Sequence, residues 1–124
     1  MSIRRIVPNI RTSTVAPGTA MERNAEFYGR LGLQEVMNHG WIMTLASPTR
    51  PAAQISIVVA DATAPVTPDV SVEVDDVDAA YRAMKESGAE IVYPLHDEDW
   101  GVRRFFVRDP NGCVVNVLGH PDRR

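Results

Sequence analysis

The sequence has little of what secreted, membrane and nucleic-acid-binding proteins require. Its single cysteine, Cys113, cannot form an internal disulfide, which predicts a reducing, cytoplasmic environment. No apolar run approaches the roughly 20 residues that span a bilayer, and no signal-peptide apolar region follows the N-terminus. Basic residues are scattered and the formal net charge is −3, so the basic surface that nucleic acid demands is missing. We therefore expect neither a membrane nor a nucleic acid as a partner.

What the sequence does contain is typical of one folded domain. Its 124 residues are 44% hydrophobic and 23% charged, which is enough apolar material for a single core. Residues 3–10 are rich in β-branched side chains and predict a strand. Residues 20–31 carry apolar side chains at helical spacing behind a capping box that runs from Thr19 to Glu22. Further strands are predicted at about 34–38, 41–46 and 53–59.

The same order of elements restarts after residues 60–68, a proline-containing linker. Residues 70–74 alternate strictly between apolar and polar and predict a half-buried strand, and Asp76 is a good N-cap for a helix that ends near Gly88. Strands follow at about 90–94, 102–108 and 114–118, with a turn at Asp109-Pro110-Asn111-Gly112 between the last two. We predict one α+β domain over residues 1–124. Two βαβββ modules, about 1–59 and 69–120, would form a curved mixed sheet around a shared cavity.

Three motifs in this order resemble the vicinal oxygen chelate superfamily, the glyoxalase/bleomycin-resistance/dioxygenase group. They are Phe27-Tyr28-Gly29-Arg30-Leu31-Gly32-Leu33, Val74-Asp75-Asp76-Val77-Asp78-Ala79-Ala80 and Asp109-Pro110-Asn111-Gly112. The resemblance covers nearly the whole chain. It implies the glyoxalase/bleomycin-resistance fold and commonly a homodimer, but it does not fix the reaction. The fold hosts isomerases, dioxygenases, transferases and drug-binding proteins.

The metal-binding positions that the resemblance implies have lost their usual ligands. Enzymes of the family typically bind one divalent metal through inward His and Glu side chains. The resemblance places the corresponding residues near Val7, at Asp69, at Asn116, and at Gln54 or Ser56. Val7 has no donor atom, and only Asp69 is anionic, whereas transition metals bind to three or four imidazole and carboxylate groups. We therefore predict no metal centre and no cofactor.

Two tryptophans are the strongest candidates for contact with a ligand. The segment Trp100-Gly101-Val102-Arg103 is similar to the Trp-Gly-x-Arg segment of the bleomycin- and mitomycin-binding members, in which the Trp stacks on a flat drug ring. Because an indole offers a large rigid face, we expect Trp100 to face the ligand, with Trp41 as a second wall. The alternative places both tryptophans in the core or in a dimer interface. Arg103 is the candidate anion-binding group.

Strand alternation adds polar candidates to the cavity. Because successive side chains point to opposite faces of a strand, Asn9, Glu73 and Asn116 are predicted to point inward. Glu73 could instead pair with Arg11 inside the barrel, with no ligand present, since buried charges are usually paired.

Three functions are compatible with this sequence. The pattern favours a metal-independent protein that binds a drug-like or antibiotic molecule, hydrophobic or cationic. The alternative is a lyase or isomerase of the same superfamily that uses Asp69 or Glu73 as general base, with or without a divalent metal. The third is an accessory subunit whose sheet edges serve only dimerisation. Whether the chain is an enzyme therefore stays open at this point.

Overall fold

Two antiparallel strands at the centre of one sheet hold the two halves of the molecule together. A computed structural model describes residues 1–12 and 17–121, without the side chains of residues 17–19. Within this part of the chain the elements are β1 (Ile3–Arg11), α1 (Pro17–Gly29), β2 (Gln34–Asn38), β3 (Ile42–Ala46), β4 (Gln54–Val58), β5 (Val70–Val74), α2 (Val77–Glu86), β6 (Ile91–Asp97), β7 (Arg103–Arg108) and β8 (Val114–Gly119). The strands form a single sheet in the order β2-β3-β4-β1-β5-β8-β7-β6.

Each half of the sheet repeats the same pairing. β1 pairs in parallel with β4, and β5 pairs in parallel with β8. The halves meet where β1 runs antiparallel to β5, with Val7 opposite Ser71. The predicted α+β fold, in which a βαβββ order occurs twice in one curved sheet, is confirmed.

The helices cover one face of the sheet and leave the other face open. In the first half Met21 of α1 packs against Met43, Leu45 and Ile57. In the second half Val77 and Ala80 of α2 form a separate core, and their partners are Val74, Phe105, Val107 and Val117. Because side chains alternate along each strand, the residues between these core positions point to the opposite, concave face.

Two predicted boundaries differ from the structure, and one predicted helix cap is confirmed. α1 begins at Pro17, before Thr19, so the predicted capping box does not start the helix; proline suits a first helical turn because its missing N–H has no partner there anyway. Asp76 does cap α2, and its side chain accepts a hydrogen bond from the Ala79 N–H at 3.0 Å. β6 continues through Pro94 to Asp97. A proline is tolerated there because β6 is the last strand of the sheet.

Neither helix in the described ranges is long and apolar enough to cross a membrane.

Candidate functional site

The concave face of the sheet contains a cavity of about 140 Å³. Both halves contribute to its wall, because side chains of β1, β3 and β4 meet side chains of β5, β7 and β8 there. Four of the predicted ligand-binding residues line it, namely Asn9, Trp41, Trp100 and Asn116. The fold therefore brings these four residues together, although Asn9 and Asn116 lie 107 positions apart in the chain.

Three aromatic rings contact one another along this cavity. Trp41 precedes β3, and Trp100 lies in the connection between β6 and β7. Their ring centres are 6.2 Å apart at an interplanar angle of 75°. His39 adds a third ring, 6.3 Å from Trp41 and 5.8 Å from Trp100. These rings make an apolar, polarisable wall of the kind that stacks on flat organic groups.

Two residues that line the cavity each carry a buried side-chain atom with no hydrogen-bond partner among the described residues: Trp100 Nε1 and Asn116 Oδ1. Asn116 is held in place by its other amide atom, because its Nδ2 donates to Ser71 Oγ at 3.0 Å. Asn9 Nδ2 donates to the same hydroxyl, also at 3.0 Å. Since about 90% or more of buried polar groups in folded proteins are paired, an indole donor and an amide acceptor left over beside a cavity indicate a place for a polar ligand.

A first charged cluster, which we call the Arg5 cluster, contains Arg5, Gln54, Glu73 and His120. Glu73 is 1% exposed, and its two oxygens accept from different neighbours. Arg5 Nε donates to Oε1 at 2.5 Å, and His120 Nδ1 donates to Oε2 at 3.1 Å. Burial raises the pKa of the Glu73 carboxyl, but the hydrogen bonds from His120 and Arg5 outweigh it and hold that pKa below its ordinary value. Arg5 also donates from Nη1 to Gln54 Oε1.

A second charged cluster, the Arg104 cluster, surrounds a fully buried guanidinium on β7. Arg104 is 1% exposed. Its three nitrogens all donate, to Asp61 Oδ2 at 2.9 Å, to Thr63 Oγ1 at 2.8 Å and to Glu98 Oε2 at 2.5 and 2.9 Å. The rings of Trp100 and Phe106 lie 5.1 and 4.8 Å from its central carbon. Arg104 therefore positions Trp100 and has little capacity left to bind anything else.

The far side of the Arg104 cluster is closed by Tyr93 and His96. The Tyr93 hydroxyl lies 2.7 Å from His96 Nε2 and donates to Glu98 Oε1 at 3.2 Å. His96 Nε2 also contacts Glu98 Oε1. Burial, reinforced by the nearby Glu98 carboxylate, raises the pKa of the Tyr93 hydroxyl above its ordinary value.

The structure corrects three predicted positions. Arg103 does not face the cavity: it lies on the helix side of β7, where Nη2 donates to Asp78 of α2 at 2.9 Å. Arg104, the next residue, faces the cavity instead, because a shift of one residue reverses the face of a strand. Asp69 is exposed and accepts from the Val114 N–H at 2.8 Å, away from the cavity. Arg11 is exposed, and the arginine that pairs with Glu73 is Arg5.

The residues at the family's metal positions do not fit a divalent cation. Val7, Ser56 and Asn116 line the cavity and Asp69 does not. Gln54 is engaged with Arg5. An alkyl group, a hydroxyl and an amide lack the imidazole and carboxylate character of transition-metal ligands. Across the described ranges, no three His, Cys, Asp or Glu side chains come together as a metal site.

Sequence reasoning missed Arg5, His39, Arg104 and His120, all of which line the cavity. Alternation could have found two of them. Arg5 continues the inward series of Val7 and Asn9, and His120 continues that of Asn116 and Leu118 just beyond β8. His39 carried no such signal, because it lies in the connection between β2 and β3 and not on a strand.

Comparison with known proteins identifies a family that matches this chain. The model of the glyoxalase/bleomycin resistance protein/dioxygenase superfamily matches residues 12–117. No curated protein matches the chain. The matched span leaves out Arg5 and His120, so the Arg5 cluster lies partly beyond it.

Solved structures resemble the chain closely in shape and weakly in sequence. One, described as an NAD-dependent benzaldehyde dehydrogenase from Legionella pneumophila, has a TM-score of 0.68 at 16% identity and covers 93% of this chain and 98% of its own. A glyoxalase/bleomycin resistance protein/dioxygenase superfamily member from Vibrio splendidus 12B01 has 0.64 at 14%, covering 95% and 99%. Methylmalonyl-CoA epimerase from Mycobacterium tuberculosis has 0.62 at 20%, covering 94% and 86%. At these identities the likeness shows the fold alone.

Proposed function

The chain belongs to the glyoxalase/bleomycin resistance protein/dioxygenase superfamily, and from that premise we propose that it binds a small, flat, drug-like molecule in its cavity without a metal ion. The fold by itself supports binding and catalysis equally, so the proposal depends on the site. The observation that carries it is a pair of buried polar atoms of cavity-lining residues, Trp100 Nε1 and Asn116 Oδ1, for which the described part of the chain offers no partner.

The two atoms define what the ligand must offer. Trp100 presents an N–H donor, so the ligand needs an acceptor there, and Asn116 presents a carbonyl oxygen, so the ligand needs a donor. A molecule that supplies both avoids leaving the two groups buried and unpaired, which costs about 1–3 kcal/mol for each group. The Trp41 and Trp100 rings then stabilise the flat part of the ligand by stacking.

The size of the cavity limits how much of a ligand can enter. A cavity of roughly 150 Å³ holds one benzene molecule, and this cavity is about 140 Å³. A single ring with one or two polar substituents fits that space. An antibiotic of several rings would place one ring inside and the remainder at the mouth, and binding would protect the cell's target by sequestration.

Tryptophan fluorescence tests this proposal directly. We expect planar antibiotics and the ring fragments indole, phenol and benzamide to change the emission of the Trp41→Phe variant, in which Trp100 is the only tryptophan. Fragments should bind at roughly millimolar Kd, because so few atoms make contact. Trp100→Ala should abolish binding measured by calorimetry. Phe27→Ala removes an aromatic ring that is 58% exposed on α1 and should leave binding unchanged. A flat response to every compound would refute the proposal.

The second candidate is a lyase or isomerase. Methylmalonyl-CoA epimerase is among the proteins of similar fold, and His120, which lines the cavity, is oriented by Glu73 as a general base would be. Asp69 and Glu73 are less suited to that role themselves, because Asp69 lies outside the cavity and both Glu73 oxygens are already engaged. Elemental analysis of protein purified without chelator separates a metal-assisted enzyme from a metal-independent one. Near-stoichiometric Ni, Zn, Mn or Fe would favour the metal-assisted enzyme.

A further inference from the structure

The Arg5 cluster faces the cavity with hydrogen-bonding capacity that the protein does not use. Arg5 donates from Nε to Glu73 and from Nη1 to Gln54. Its Nη2 has no acceptor in the part of the chain that the structure describes, and the side chain lines the cavity while remaining 22% exposed. A guanidinium held by two of its nitrogens presents its third in a fixed direction, which suits recognition of a planar anion.

His120 adds a second group at the same place. Its Nδ1 is bonded to Glu73, whereas Nε2 has no partner among the described residues, and the ring lines the cavity. Because Glu73 bonds Arg5 through one oxygen and His120 through the other, the two side chains flank a single buried carboxylate. Both Glu73 oxygens are thus engaged, and Arg5 Nη2 is the donor that the cluster keeps for a ligand.

The aromatic wall is within reach of this cluster. Gly119 of β8 pairs with Arg103 of β7, so His120 emerges at the same end of the sheet as Trp100, which precedes β7. Arg5, His120, Trp41 and Trp100 all line one cavity of about 140 Å³. One small molecule can therefore contact the rings and the Arg5 cluster together.

The other charged side chains near the cavity already have partners. Asp61 is paired with Arg104, and both side chains are 2% exposed. At the end of β6 and just beyond it, Asp97 is held by Arg103 and Glu98 by Arg104. Among the described residues that line the cavity, the charged group with an unused donor is therefore Arg5.

We infer that the cavity selects a small planar aromatic carboxylate, with the ring against Trp41 and Trp100 and the carboxylate on Arg5. This inference rests on the proposed function, since it specifies the chemistry of the molecule bound in the same cavity. It replaces the sequence-based expectation of a hydrophobic or cationic ligand with an anionic one.

The test compares three probes that share one shape and carry a negative charge, no charge and a positive charge. Benzoate, benzamide and benzamidinium are titrated into the ¹⁵N-labelled full chain, and binding is followed through the Trp100 indole N–H signal, assigned with Trp41→Phe. We expect benzoate to bind roughly tenfold more tightly than benzamide, because its bond to Arg5 is charge-assisted. Benzamidinium should bind most weakly.

Variants locate the charge preference. Arg5→Gln should reduce benzoate affinity while changing benzamide affinity little. If Arg5→Gln fails to fold, Arg5→Lys, which keeps the charge, should still bind benzoate more tightly than benzamide. Arg103→Gln removes the same charge from the opposite face of the sheet and should retain the full preference. Equal affinities for the three probes, tighter binding of benzamidinium, or a preference for benzoate that survives Arg5→Gln would overturn the inference and leave the proposed function standing. If no probe moves the Trp100 signal, the cavity-binding proposal itself fails.

Discussion

Two arginines approach the same cavity from opposite halves of the sheet, and each is bonded to a glutamate that also contacts a histidine. In the Arg104 cluster every guanidinium nitrogen has a partner, two carboxylates accept from it, and aromatic rings cover what remains. In the Arg5 cluster the guanidinium and the imidazole each keep one nitrogen without a partner among the described residues. The difference teaches that burial of an arginine indicates a structural role only when its donors are also satisfied. A partly satisfied arginine beside a cavity indicates a role toward a ligand.

The largest expected effect is on stability, at Arg104. Replacing it by Gln should lower the free energy of unfolding by about 3–5 kcal/mol, because Asp61 and Glu98 would remain buried without their counter-charge. The matched variant Arg103→Gln breaks only partly exposed ion pairs and should cost less than about 1 kcal/mol. Urea denaturation followed by far-UV circular dichroism measures both. Similar losses for the two variants would show that the Arg104 cluster is not the closed unit described above.

Arg5→Gln should have a smaller effect on stability than Arg104→Gln. We expect a loss of about 1–3 kcal/mol, because Glu73 keeps His120 as a partner and Arg5 is itself partly exposed. The same denaturation assay checks this value. A loss as large as that of Arg104→Gln would remove the distinction between the two clusters, because Arg5 would then be needed chiefly to hold the fold.

Acid should weaken the fold through Glu73. The pKa of this carboxyl lies below its ordinary value of 4.5 in the folded chain, so its contribution is complete above about that pH and is lost as the pH falls through the lower, folded-state pKa. Glu73→Gln should be less stable at pH 7 and should show a flatter decline as the pH falls below about 4.5. Denaturation curves of both proteins at several pH values measure this difference. Parallel declines would mean that Glu73 is not ionised and hydrogen-bonded as described.

The smallest expected effect is spectroscopic, at the edge of the Arg104 cluster. Because burial and the Glu98 carboxylate raise the pKa of the Tyr93 hydroxyl, the difference between the alkaline absorbance titrations of the native chain and Tyr93→Phe should have its midpoint above 10. A midpoint at or below 10 would indicate that the hydroxyl is open to solvent, and that the cluster is less closed than its contacts imply.

Much of the fold could be predicted from local patterns. Strict alternation at residues 70–74, the Asp76 cap and the Asp109 to Gly112 turn each depend on neighbouring residues, and each occurs as predicted. The parity of a strand also placed Asn9 and Asn116 on the concave face. Arg103 was assigned to the cavity from the Trp-Gly-x-Arg motif and not from alternation. That assignment was wrong by one residue, because Arg104 is the arginine of β7 that lines the cavity.

The sequence by itself determined the order of the elements and which strand faces are apolar, because these follow from periods of two and of 3.6 residues along the chain. Only the tertiary structure decided which polar side chains meet. Whether Arg5 or Arg11 reaches Glu73, and whether an arginine of β7 is fully paired or left with unused donors, depends on strand register and on residues far apart in the chain. The charge of the cavity depends on those long-range pairings, so it could not be read from local sequence.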